Sequence, residues 1–164
     1  MNQSTGTITK RLYFAAPLFS DPERQFNTLL AARLGQFFDV FLPQEDGGLM
    51  VDMIGEGIHP AAAARRIFQL DIEALNKCDI LLIVMDGRTI DEGAAFELGY
   101  AFALGKACYG LQTDVRRLLS TGNNPMIDCG LNQVFQDTEE LVAWARQVTA
   151  APISIPAVHP TIGA

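Results

Sequence analysis

Six consecutive apolar residues, ILLIVM at positions 80–85, constrain this chain more than any other feature. The run is far short of the ~20 residues that cross a bilayer. It also lacks the polar alternation of a strand with one face in water. It reads as a strand covered on both faces, as in the middle of a parallel sheet, and such a strand needs helices above and below it. The neighbouring sequence supplies them. Residues 60–77 place Ile67, Leu70, Ala74 and Leu75, with Cys78 just beyond, on one side at helical spacing. Residues 91–105 form a second helix, rich in Ala and Gly and slim enough to lie close on a sheet.

The same alternation extends outward. Residues 11–16 (RLYFAA), stopped by Pro17, read as a first strand, and Asp21-Pro22 opens a helix running to about Gly35 with proline at its first position. Residues 38–42 are a second strand ended by Pro43, residues 107–111 and 132–135 are later ones, and 138–149 form a last helix. Residues 44–59, with four glycines and several acids, are expected to be a long loop of the kind that covers a site. The pattern predicts an α/β fold, a doubly wound parallel sheet with right-handed crossovers. One domain over residues 11–149 is expected, with residues 1–10 and 150–164 as tails.

Charge and cysteine usage narrow the function. Twelve Lys+Arg against nineteen Asp+Glu leave a net −7, which argues against a nucleic-acid polymer as partner. No membrane span or secretion signal is read from the sequence. Cysteines at 78, 108 and 129 form no CxxC pair, so reduced thiols and a cytoplasmic location are expected.

Ligands of doubly wound sheets bind beyond the carboxyl ends of the strands, here residues 13–19, 43–48, 86–91 and the loop after Leu111. The first of these loops reads AAPLFS, with neither a dinucleotide fingerprint nor a P-loop. Ser20 lies in no GxSxG elbow, and His59 and His159 have no partner at metal spacing, so no metal and no cofactor are expected.

Carboxylates remain. Glu97 shares a helical stripe with Gly93, Tyr100, Ala101 and Leu104, and Asp71 is flanked in the same way by Ile67, Phe68, Ala74 and Leu75. A buried acid costs several kcal/mol unless it is paired; the structural alternative is an internal hydrogen bond. Asp86 ends the central strand in VMDG and Asp91 opens the helix carrying Glu97. A turn residue and an N-cap are their structural alternatives. Carboxyl groups in contrasting environments can divide nucleophilic and proton-transfer roles, which suits displacement at an anomeric carbon. Tyr13 and Phe19 flank the first loop and could wall a flat base or sugar; Asn132 and the Asn123-Asn124 pair have a plainer reading as turn formers.

Taken together, LYFAAPLFS, the Asp71…Asp79-Ile80 spacing into ILLIVMDG, and DEGAAFELGYAFALGKA resemble the nucleoside 2-deoxyribosyltransferase family over residues 11–135. The resemblance implies a flavodoxin-like sheet of about five parallel strands and a two-step exchange of 2-deoxyribose between 2-deoxynucleosides and free nucleobases. Glu97 then matches the nucleophile that forms a 2-deoxyribosyl ester, Asp71 the proton donor to the leaving base, and Tyr13 the residue that orients the nucleophile. Asp91 and, more loosely, Gln44 match substrate-binding positions. Asn132 resembles an asparagine lent by a neighbouring subunit, which implies a homo-oligomer. The first loop lacks the family's common glycines, and no aromatic residue follows Trp144.

Two other readings stay open at this stage. A hydrolase of 2-deoxynucleoside 5′-monophosphates on the same scaffold would need a phosphate cradle. A non-catalytic nucleotide-binding domain would bind without turnover.

Overall fold

The computed structural model describes residues 9–116 and 122–150. Of the tails expected at 1–10 and 150–164, residues 1–8 and 151–164 lie outside the described residues. Five strands, β1 (Arg11–Ala15), β2 (Asp39–Phe41), β3 (Ile80–Val84), β4 (Ala107–Leu111) and β5 (Gln133–Phe135), form one sheet in the order β2-β1-β3-β4-β5. Every pairing is parallel. This is the flavodoxin-like order, whose direction of winding switches between β1 and β3.

Side-chain alternation along the strands builds two core layers. Leu12 and Phe14 of β1, Ile80, Leu82 and Val84 of β3, and Tyr109 and Leu111 of β4 face one side. There they pack with residues of α1 (Asp21–Leu34) and α6 (Thr138–Ala150). Tyr13, Ala15, Leu81, Ile83 and Cys108 face the other side, against α3 (Pro60–Lys77) and α4 (Glu92–Ala103). All five residues of β3 are buried, as a strand with helices on both faces requires. Truncating Leu82 to Ala in this layer should cost about 2–5 kcal/mol.

Local signals set the element boundaries. Ser20 caps α1 in a reciprocal box with Glu23, and Pro22 follows inside the first turn. Asp91 caps α4, its side chain accepting from the Ala94 N–H at 2.9 Å. Asn124 caps the one-turn helix α5 (Pro125–Asp128) in the same way, through Met126 N–H.

The expectation of a long loop over 44–59 is corrected. Pro43–Gly47 is a π-helical turn, and Met50–Gly55 is a short helix, α2, packed on α3. Neither piece is long enough to show a helical period, and the glycines around them mark breaks between elements. Among the described residues no helix is long and apolar enough to cross a membrane.

Candidate active site

The site grows out of the switch point between β1 and β3. Tyr13 points from β1 into the α3/α4 layer, wholly buried and stacked on Phe41 with ring centroids 5.4 Å apart. Its hydroxyl donates to Glu97 Oε1 at 2.7 Å. Glu97 comes from the second turn of α4, and the Asp91 cap fixes where that helix starts. Asp71 approaches from α3. Its Oδ1 is sealed from solvent and has no hydrogen-bond partner.

Burial governs the protonation of this cluster. It pushes Glu97 up to about 8, against the Tyr13 hydrogen bond, which holds it lower; the Asp71 and Asp91 charges add to the rise. Burial also raises Asp71 to about 6, with the Tyr13 hydroxyl pulling the other way. The Tyr13 phenol is held protonated well above its usual range, by burial first and by Glu97 and Asp71 next. The Glu97 and Asp71 carboxyls therefore bind protons more tightly than solvent-exposed acids do.

Two cavities meet at this pair. One, of about 410 Å³, is lined by Leu18 and Phe19 after β1, by Pro43 and Gly48, and by Asp71, Asp91 and Glu97. The other, of about 510 Å³, lies between α3 and α4, is mostly apolar, and is bordered by Phe68 and Phe96. Met50, Ile67, Asp71, Gly93 and Glu97 line both, so the carboxyl groups form a shared wall. A mainly apolar recess with a few convergent polar groups is the usual form of a small-molecule site.

The structure thus brings Tyr13, Asp71, Asp91 and Glu97 together. It places Phe19, 76% exposed, at the rim of the first cavity. Three other expected residues stand elsewhere. Gln44 does not line the cavity: its amide donates to Arg24 O and Thr28 Oγ1 and accepts from Asn27, which crosslinks the π-helical turn to α1. Asp86 faces away, its carboxylate taken by Thr113 Oγ1 at 2.5 Å and Asp114 N–H at 2.8 Å, where it braces the loop after β4. Asn132 immediately precedes the edge strand β5, at its amino end and outside the cavity lining, and its Oδ1 accepts from Cys108 N–H at 2.8 Å.

Sequence reasoning missed several lining residues. Met50 and Val51 were hidden inside the supposed loop. Arg24 also lines the cavity, its guanidinium bonded to Leu18 O at 2.9 Å and paired with Asp21. Asn27, which lies behind the wall rather than in it and is 2% exposed on α1, could have been found as an amide three and seven residues before the core leucines Leu30 and Leu34. Among the described residues no group of three His, Cys, Asp or Glu side chains is placed to hold a metal ion.

Comparisons with known proteins supply a family and a shared fold. A family model described as nucleoside 2-deoxyribosyltransferase matches residues 12–149. A conserved protein from Enterococcus faecalis V583 superposes with a TM-score of 0.67 at 25% identity, over 85% of this chain and 98% of that one. A 2-deoxyribosyltransferase from Bacillus psychrosaccharolyticus also gives 0.67, at 23% identity, covering 80% of this chain and 90% of its own. A CMP N-glycosidase from Clostridium botulinum gives 0.55 at 17% identity, over 84% and 99%. The last two likenesses establish the shared fold alone. No protein of curated function matches the sequence.

Proposed function

The chain belongs to the nucleoside 2-deoxyribosyltransferase family, enzymes that act on nucleosides, and we propose that it exchanges 2-deoxyribose between nucleobases through a covalent ester on Glu97. The observation that carries this reading is the Tyr13–Glu97 hydrogen bond inside a mostly apolar cavity, with Asp71 beside it. A fixed phenol leaves one carboxylate oxygen of Glu97 to act as nucleophile.

In the first step Glu97 attacks C1′. The bond from C1′ to the base nitrogen breaks, and the leaving base takes a proton from Asp71. In the second step the nitrogen of the incoming base displaces the ester oxygen, Glu97 leaves as carboxylate, and the incoming base gives its proton to Asp71. Two inversions at C1′ retain the configuration. The raised proton affinity of Asp71 suits a group that gives a proton to the leaving base and takes one back from the incoming base. Asp91 and Phe19 are assigned to substrate binding on their places in the cavity wall.

The lining charges favour donors without a 5′-phosphate. A phosphate would meet three carboxyl groups, Asp71, Asp91 and Glu97, and one guanidinium, Arg24, already paired with Asp21. The reading includes a homo-oligomer in which a second subunit covers the apolar surface around Phe68 and Phe96, both more than half exposed.

The test incubates a 2-deoxynucleoside with a different free base and separates the products by chromatography. The wild-type protein is expected to form the new nucleoside, and Glu97→Ala to lose at least about three orders of magnitude of that rate. Exchange that persists in Glu97→Ala removes the assignment. Free deoxyribose without exchange, or turnover only of a 5′-phosphorylated donor, replaces the transferase by a hydrolase, and binding without turnover replaces it by a binding domain.

A further inference from the structure

Two amide side chains behind the cavity wall are spent on holding that wall in place. Asn27, 2% exposed, donates to Pro17 O at 2.8 Å in the loop after β1 and to Gln44 Oε1 at 3.0 Å in the π-helical turn. Gln44 donates in turn to Arg24 O and Thr28 Oγ1, each at 3.0 Å. These bonds tie both flanking loops to one stretch of α1. The acids of the turn point elsewhere, Glu45 accepting from Thr28 Oγ1 at 2.7 Å and Asp46 from Leu42 N–H at 2.8 Å.

Held in this way, the turn sets buried Gly47 directly on Asp71. A Cβ at position 47 would stand 3.0 Å from Asp71 Oδ1, so glycine is the residue that lets the backbone come this close. That oxygen is the one sealed from solvent without a partner. A charged oxygen in that state is costly, and a neutral carboxyl is much less so.

We propose that Asn27 and Gln44 are positioning residues for Asp71: by pinning the π-helical turn to α1 they keep Gly47 seated on the carboxyl and water away from it, which strengthens the hold of Asp71 on its proton. This rests on the reading of Asp71 as the acid that serves the leaving base. The ionisable groups around Asp71 are Glu97 and Asp91 from α4 and its cap, Arg24 from α1, and Tyr13 from β1. The lining residues from the turn and α2 (Pro43, Gly48, Met50 and Val51) carry no charge.

The test follows the aspartate carboxyl carbons by ¹³C NMR titration of the full chain without substrate, with Asp71 assigned from the signal lost in Asp71→Asn. In the wild-type protein Asp71 is expected to titrate near 6. Gln44→Ala should bring it down by about one unit, a tenfold loss of proton affinity. Gln44→Met fills the same space without the hydrogen bonds and should do the same. Thr28→Val removes one acceptor of Gln44, gives a smaller shift in the same direction, and carries the test where the Gln44 variants do not fold. An Asp71 titration unmoved in a folded variant, as judged by circular dichroism, overturns the proposal, as does ordinary aspartate behaviour in the wild type. The titration needs no turnover, so a wild-type protein that fails to exchange bases refutes the transferase reading while the NMR shift still decides the clamp.

Discussion

Replacing Tyr13 by Phe removes a single oxygen, the one that donates to Glu97 Oε1 at 2.7 Å, and keeps the ring stacked on Phe41. A hydrogen bond to a charged acceptor is worth about 1.5–3 kcal/mol. At about 1.36 kcal/mol per unit, its loss raises the Glu97 proton affinity by about 1–2 units. With Glu97 near 8 in the wild-type protein, roughly a tenth is ionised at pH 7, and the variant would have about 1% to 0.1% ionised. Exchange at pH 7 should therefore fall by about ten- to a hundredfold. The assay is base exchange followed by chromatography between pH 5 and pH 10, with melting curves to confirm folding. The expected signature is convergence of the two rates at alkaline pH, where Glu97 is ionised in both proteins. A loss of equal size at every pH would mean that the phenol aims the carboxylate without tuning it, and no loss at all would remove Tyr13 from the mechanism.

The other expectations concern stability and space. Glu97 binds its proton more tightly folded, at about 8, than unfolded, at about 4.5. Its contribution to stability is therefore complete below the unfolded value and is eroded as pH rises toward 8. Glu97→Gln escapes that erosion. It should melt with the wild type near pH 4.5 and roughly 10 °C above it beyond pH 8, as measured by calorimetry, on a difference of the order of 4 kcal/mol. Gly47→Val puts a branched side chain where a Cβ is already 3.0 Å from Asp71 Oδ1. It should cost about 1–3 kcal/mol in urea unfolding and slow exchange by displacing the acid.

The fold was legible because burial on both faces leaves a mark in a strand: ILLIVM could be nothing but interior, and the helices around it kept their period. Glu97 and Asp71 were legible for the converse reason, as acids set on apolar stripes that the structure shows converging on one cavity. What escaped was set by contacts between distant parts of the chain. Gln44 sits where a base-binding residue could be, but its partners lie on α1, up to twenty residues before it. Asp86 is claimed by Thr113 and Asp114 on the far side of β4. No local pattern records either arrangement. The π-helical turn and α2 escaped because pieces of five and six residues are too short to repeat a hydrophobic period.

Tyr13 belongs to the middle of a ladder, paired on one side with Phe41 and on the other with Leu81. The aim of its hydroxyl is therefore inherited from a strand paired on both sides, while Phe19 comes from the loop after β1 and Met50 and Val51 from the short helix α2. Under the proposed base exchange, remodelling those three positions should alter which bases are accepted without disturbing the aim of the phenol, which makes them the place to begin a redesign for unnatural nucleosides.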